Sequence, residues 1–201
     1  MKHTSIGVSL ALIGLIAAGC SGRDSASEPT DTTTSTAAKP SIAASVKPAP
    51  DQPRNSRSPV KFDPCFEIGD DTVVKAGFVP KTRERADQVH DGYAFISCTF
   101  ERQEDVHGQL GAVGSLTISS TNVTLDEFRK REGNAATEIK VNGREAITYR
   151  EAASEACFVV MIGPDATIDV SVSSTLALTH WNACDHAQEI AAIVESALPA
   201  K

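Results

Sequence analysis

Five cysteines, Cys20, Cys65, Cys98, Cys157 and Cys184, constrain this chain more than any other feature. In an oxidising compartment an odd count leaves one thiol outside the disulfide framework, and the neighbours of Cys20 single it out. Ile16-Ala17-Ala18-Gly19 close an apolar, small-residue run that begins at Ile6, after a short cationic start at Lys2 and His3. Such a run is long enough for a signal-peptide core and short of the roughly 20 residues a spanning helix needs. Small residues at 17–19 let an extended backbone enter a peptidase cleft, and a thiol directly after them can carry diacylglycerol. The expectation is a lipoprotein signal peptide over residues 1–19 and a mature chain starting at a lipidated Cys20, thioether-linked to diacylglycerol and N-acylated with a palmitate-type chain. Ala17 stands where such boxes usually carry Leu, and an ordinary secretory signal that leaves Cys20 a spare thiol is the alternative. Two or more acyl chains give stable anchoring. The chain is therefore expected on the extracytoplasmic face of the cell membrane, anchored to it without crossing it.

With Cys20 set aside, Cys65, Cys98, Cys157 and Cys184 suggest two disulfides, for which three connectivities exist. No C-x-x-C occurs, which argues against a zinc site and against a thioredoxin-like redox pair. Cys65–Cys98 with Cys157–Cys184 is the favoured pairing, because each bridge closes a short loop worth roughly 3 kcal/mol in the chain-entropy model.

Residues 20–60 are dominated by Ser, Thr, Ala and Pro and carry hardly a large apolar side chain. A segment of that composition buries too little surface to offset its ordering entropy, so a disordered tether is expected. Its Thr32–Thr36 run offers hydroxyls for O-linked sugar, although a plain spacer is the simpler reading. Residues 61–201 are enough for one domain with a single core. The chain has 19 Lys and Arg against 26 Asp and Glu, a formal charge of −7. The tether is nearly neutral, so the excess acid lies in the domain, which phosphate backbones and anionic headgroups repel. Nucleic acid is not an expected partner.

Within the domain, Asp70 or Asp71 can cap a short helix that Gly77 ends. Residues 80–91 are charged, lack periodicity and are expected as an exposed loop. Tyr93–Phe100 and Val113–Ser119 read as strands, with Gly108, Gly111 and Gly114 marking turns or a bulge. Thr124-Leu-Asp-Glu127 is a capping-box pattern that opens a helix stopped at Gly133. Asn142-Gly143 suits a type I′ hairpin turn between strands at 138–141 and 144–149. A second hairpin joins 157–162 to 167–173 through Gly163-Pro164-Asp165. In its later strand Ile168, Val170 and Val172 alternate with polar residues, so one face should be wet. A final helix over about 183–197 is capped by Asn182 and carries Ala187, Ile190, Ala191, Val194 and Leu198 on one stripe. These elements predict an α+β fold: a single domain with an antiparallel sheet, short helices packed on one face and two disulfides.

The cysteines with their neighbours carry a resemblance. Asp63-Pro64-Cys65 precedes a short helix, and Ser97-Cys98-Thr99-Phe100 lies on a strand. Glu127-Phe128-Arg129-Lys130 follows on a helix, then Ile139-Lys-Val-Asn-Gly143 in a hairpin. Ala156-Cys157-Phe158-Val159-Val160 and Ala183-Cys184-Asp185-His186-Ala187 complete the set, which ends at Leu198-Pro199. Over 63–199 the chain resembles an actinobacterial, mycobacterial-type lipoprotein family classed as a domain of unknown function (DUF 3558). The resemblance implies a lipid-anchored extracytoplasmic domain with two structural disulfides and no assigned activity. Thr99-Phe100 departs from the pattern in which an aromatic directly follows the cysteine, and Phe100 is positioned to take over that packing.

Catalytic, metal and cofactor signatures are weak. His186 beside Asp185 allows a triad with a serine on paper, yet no G-x-S-x-G elbow supports it. His90, His107, His180, His186 and Asp91 share no recognised ligand spacing. The acidic pairs Asp70-Asp71 and Glu104-Asp105 suit caps and turns. Asn122-Val-Thr124 matches a glycosylation sequon that coincides with a helix cap. No catalytic residue, metal or cofactor is assigned, and the chain is not expected to be an enzyme. Trp181 and Tyr93 are the weak ligand-binding candidates, as the walls of one groove; Trp181 closing the core near the Cys157–Cys184 bridge is the simpler reading. The leading expectation is a non-enzymatic envelope lipoprotein that binds or scaffolds an envelope protein or a cell-wall component. The alternative is a carrier of a lipid or other small apolar ligand between sheet and helices, with an envelope hydrolase a distant third.

Overall fold

A computed structural model describes residues 40–151 and 155–200. The elements are α1 (Pro64–Glu67), α2 (Asp70–Lys75), β1 (Val79–Arg85), β2 (Gln88–Val89), β3 (Ala94–Val106), β4 (Gln109–Thr121), α3 (Leu125–Glu132), β5 (Thr137–Val141), β6 (Arg144–Glu151), β7 (Ala156–Ile162), β8 (Thr167–Ser174) and α4 (Ala183–Glu195). The strands form one antiparallel sheet in the order β1-β3-β4-β8-β7-β6-β5, with β2 also paired to β3. This is the α+β architecture expected, a single sheet with short helices.

Local chemistry explains where the elements start and turn. Asp63 accepts from the Cys65 amide and Pro64 occupies the first turn of α1, where a missing N–H costs nothing. Thr124 and Glu127 form the full capping box of α3. Asn182 caps α4 by accepting from the Cys184 amide. Asn142 and Gly143, at φ 47° and 85°, turn β5 into β6 as a type I′ turn requires. Gly114 permits a close approach: a Cβ there would lie 2.5 Å from the Ser173 carbonyl oxygen and 3.1 Å from the Trp181 ring.

The sheet has two unequal faces. Alternate residues of β3, β4, β8, β7 and β6, including Phe100, Ile118, Val170, Val159 and Ala146, join α1, α2 and α4 in the main core. Helix α3 instead packs on the opposite face, where Leu125 and Phe128 meet Ile147, Tyr149 and Val160. The expectation of helices on one face therefore holds for three of the four. The exception follows from β6 and β7, whose outward positions Ile147, Tyr149, Phe158 and Val160 are apolar as well and need a cover. Both disulfides form with the favoured pairing, Cys65–Cys98 tying α1 to β3 and Cys157–Cys184 tying β7 to α4. Phe100 is fully buried in the main core.

Two segments differ from expectation. Residues 80–91, expected as an exposed loop, contribute the edge strands β1 and β2. An edge strand needs partners on one side only, and here the charges are paired. Arg83 reaches Asp70 at 2.7 Å and lies over the Phe100 ring at 4.8 Å, while Arg85 pairs with Asp63 and Asp87. Residues 40–60, assigned to the tether, run along the domain. The Asp70 amide donates to the Ser41 carbonyl at 2.9 Å, Val46 packs against the main core, and Gln52 exchanges two hydrogen bonds with the backbone of Val60. Arg57 donates to the carbonyls of Gly92 and Asn122 and forms a bidentate pair with Glu127. Hydrogen bonding to the domain backbone orders a stretch that composition alone marks as unable to fold. Cys20, the expected signal peptide and the expected tether up to residue 39 lie outside the described residues. No helix among the described residues is long and apolar enough to cross a membrane.

Candidate functional site

Beside α3, the sheet face it leaves uncovered forms a groove of about 880 Å³. Strand register explains its chemistry, because residues directly opposite one another on paired strands line up across the sheet. One row runs Ser97–Ser119–Asp169–Val160–Ile147, and the next runs Thr99–Thr117–Ser171–Phe158–Tyr149. Each row is polar over β3, β4 and β8, hydroxylic except for Asp169, then apolar over β7 and β6 where α3 sits. The groove occupies the polar part. Ser97 donates to Ser119 Oγ at 2.7 Å, and Thr117 donates to Thr99 at 3.1 Å. Tyr149 and Phe158 stack with ring centroids 4.8 Å apart, forming the border with the α3 core.

Asp169 lies at the centre of the first row and lines the floor. The residue is 8% exposed, and its Oδ1 is sealed from solvent without a hydrogen-bond partner among the described residues. A buried carboxyl in that condition is costly unless it is neutral or paired. Burial is the main cause that pushes Asp169 up to about 7, with nearby Arg131 pulling it down and Glu132 adding to the rise. Arg131 is already engaged: it donates to Tyr149 Oη at 3.0 Å, pairs with Glu132 and lies over the Phe128 ring at 4.5 Å. Burial also holds the Tyr149 hydroxyl well above its ordinary value.

The far wall is built from the segment before α1 and from the start of α3. Arg57 and Glu127 close it, and the Arg57 hydrogen bonds, followed by those from Thr124, lower Glu127 to about 2. Tyr93, 39% exposed, stands on the rim against His90 at 4.6 Å and edge-on to Phe95, which in turn meets Phe128 edge-on. A second cavity of about 310 Å³ adjoins Arg57 from the other side and is lined by the segment Gln52–Asn55, His90 and Asn122.

The structure separates the two aromatic candidates. Tyr93 lines the groove. Trp181 belongs to the main-core side of the sheet, stacked on His186 at 5.6 Å, edge-on to Phe78 and covered by the Arg102 guanidinium at 4.6 Å. They cannot wall one groove, because Trp181 packs against the layer that holds α2 and α4. His186 also reaches Glu189 at 3.7 Å, while His90 lies at the second cavity. Asp70 binds Arg83 and the Ala43 amide, Glu104 accepts from Thr179, and Asp105 accepts from Gly108 in the β3–β4 turn. No group of three or more His, Cys, Asp or Glu side chains among the described residues converges as metal ligands do. Asn122 is 8% exposed and uses its amide to bind the Ala94 amide and the Ser58 carbonyl. Sequence reasoning missed Asp169, Ser119, Ser171 and Arg131. The available signal was Asp169 between Ile168 and Val170 on a strand with one face expected to be wet.

No curated protein and no solved structure matches the chain. A family model described as "Protein of unknown function (DUF3558)" matches residues 15–197, nearly the whole sequence. A match over that span shows that the chain belongs to the DUF3558 family.

Proposed function

We propose that this protein is a non-enzymatic binding module, held by lipid at Cys20 on the extracytoplasmic face of the cell membrane, and that it binds through the groove beside α3. The observation that carries the reading is Asp169: a carboxyl nine-tenths buried, without a hydrogen-bond partner at Oδ1 among the described residues, on the floor of a groove lined with hydroxyls. A bound molecule in the groove would meet this carboxyl among converging hydroxyls and offset the cost of burying its charge, since polar ligand sites place a few converging polar groups in a concave surface. The lipid anchor rests on the Ile16–Cys20 pattern and on the two disulfides, which use every cysteine except Cys20.

The apolar-carrier alternative has less support. Side chains such as Phe100, Met161, Ile190 and Val194 fill the layer between the sheet and α1, α2 and α4. The groove itself presents Ser, Thr, Arg and Glu. Photo-crosslinking in intact envelope tests the proposal. A crosslinker replacing Tyr93 at the rim should give adducts, and one replacing Val74, 60% exposed on α2, should give none. Equal labelling from both positions, or none from Tyr93, would count against the groove. Cys20→Ser should move the protein from the membrane to the soluble fraction; continued membrane retention would refute the anchor.

A further inference from the structure

The charges of the groove do not balance, and the imbalance points to a ligand. Arg57 is committed to Glu127 and Arg131 to Glu132. At the rim Arg150 and Glu151, neighbours in sequence and both exposed, contribute opposite signs. One acidic group, Asp169, is left without a basic counterpart of its own. From the elements around it, Asp169 faces Ser119 on β4, Arg131 and Glu132 on α3, and Tyr149 on β6. The two α3 charges oppose each other, so no net positive charge compensates an ionised Asp169.

We infer that the groove takes a ligand that presents a primary ammonium group to its floor, where it docks on the Asp169 carboxylate with the remaining N–H bonds going to the hydroxyls of Ser119 and Ser171. An ammonium offers three donors and no acceptor, and on this floor the Asp169 carboxyl lines the groove beside acceptor hydroxyls. Pairing with a cation is what makes a buried carboxylate tolerable. The acidic domain also draws cations toward it. The volume suits a body up to the size of a small saccharide or a short peptide side chain with its backbone. An amino sugar, a diamine or a lysine side chain of a peptide all present this chemistry. The inference rests on the groove being the binding face.

Matched probes separate the two readings. The full-length protein in detergent is titrated with 1,5-diaminopentane and with glucosamine, each against its neutral counterpart, 1,5-pentanediol and N-acetylglucosamine. The amines should bind at least tenfold more tightly than the neutral partners. Because the ammonium needs the ionised carboxylate, and burial holds Asp169 up to about 7, diaminopentane affinity should climb with pH by up to about tenfold per unit from 5 to 7 and then level off. Asp169→Asn should abolish both the preference and the pH dependence. Ser171→Leu, at a half-exposed position on the floor, should block binding without touching Asp169.

Equal affinity for amine and neutral probe, or affinity indifferent to pH, overturns the ammonium assignment. If N-acetylglucosamine alone binds and Ser171→Leu prevents it, the groove stands as a binding site and the ammonium is wrong. If no probe binds at millimolar concentration and groove crosslinking also fails, both fall together.

Discussion

Replacing Asp169 by Asn removes a titrating group without changing its shape, and the structure fixes how the stability difference must vary with pH. The carboxyl rises from its ordinary value of 3.8 to about 7 on folding, mainly through burial. An acid with a raised folded pKa holds its proton more tightly in the folded state. Its contribution is therefore fully present below about pH 4, shrinks as pH rises, and is lost once pH passes about 7. At about 1.4 kcal/mol per unit, the shift is worth about 4 kcal/mol at most. The substituted amide cannot ionise, so the variant escapes that loss. Near pH 4 the two proteins should be of similar stability. By pH 8 the variant should lead by up to about 4 kcal/mol. In a domain of this size 1 kcal/mol moves the melting temperature by about 2 to 4 °C, so the lead is of order 10 °C. Thermal unfolding of both proteins at half-unit steps from pH 4 to 8 measures the difference directly. A difference that stays constant with pH, or a variant that loses ground as pH rises, would refute the claim that Asp169 is buried without compensation.

Other perturbations test other parts of the structure. Phe128→Ala should destabilise by about 3 to 5 kcal/mol, since Phe128 is fully buried and is the main side chain by which α3 covers the sheet; chemical denaturation reads it, and a loss below about 1 kcal/mol would mean α3 is not docked there. Cys157→Ser with Cys184→Ser should cost about 2 to 5 kcal/mol by untying α4 from β7, measured by the same route in non-reducing buffer. Arg57→Ala should cost about 1 to 2 kcal/mol and raise protease cleavage within residues 40–60, because Arg57 holds that segment to Gly92, Asn122 and Glu127. Glu127 is lowered to about 2, so its pairing with Arg57 contributes above about pH 4.5 and fades as pH falls toward 2. The Arg57→Ala penalty should accordingly be smaller in acid, and a penalty unchanged at pH 3 would contradict that pairing.

The parts of the fold that are legible in the sequence are those set by short-range chemistry. Thr124 and Glu127 three residues apart, Asn142-Gly143, and Asn182 before an apolar stripe each encode a cap or turn by themselves. The cysteine spacing likewise favours the observed bridges. Long-range compensation is not legible. Arg83, Glu84 and Arg85 look like loop residues until Asp70, Asp63 and Asp87 are brought beside them. The Ser- and Pro-rich stretch before Lys61 looks like tether until its backbone partners are known. The groove is hidden for the same reason. Its floor combines Ser97 and Ser119 of the β3–β4 hairpin with Asp169 from β8, much later in the chain, and only strand order makes them one row. Trp181 draws attention because it is the one tryptophan, yet the face on which a residue lies depends on register and helix docking rather than on its type.

The central claim is that the groove floor carries a carboxyl whose hydrogen bonding the fold leaves unmet. Carbon-13 NMR of the Asp169 carboxyl, followed from pH 3 to 9 in the ligand-free protein, tests it most directly. The account predicts titration at about 7. Titration in the ordinary aspartate range near 4 would mean that the carboxylate is already satisfied, and the groove would lose the observation that marks it as a binding site.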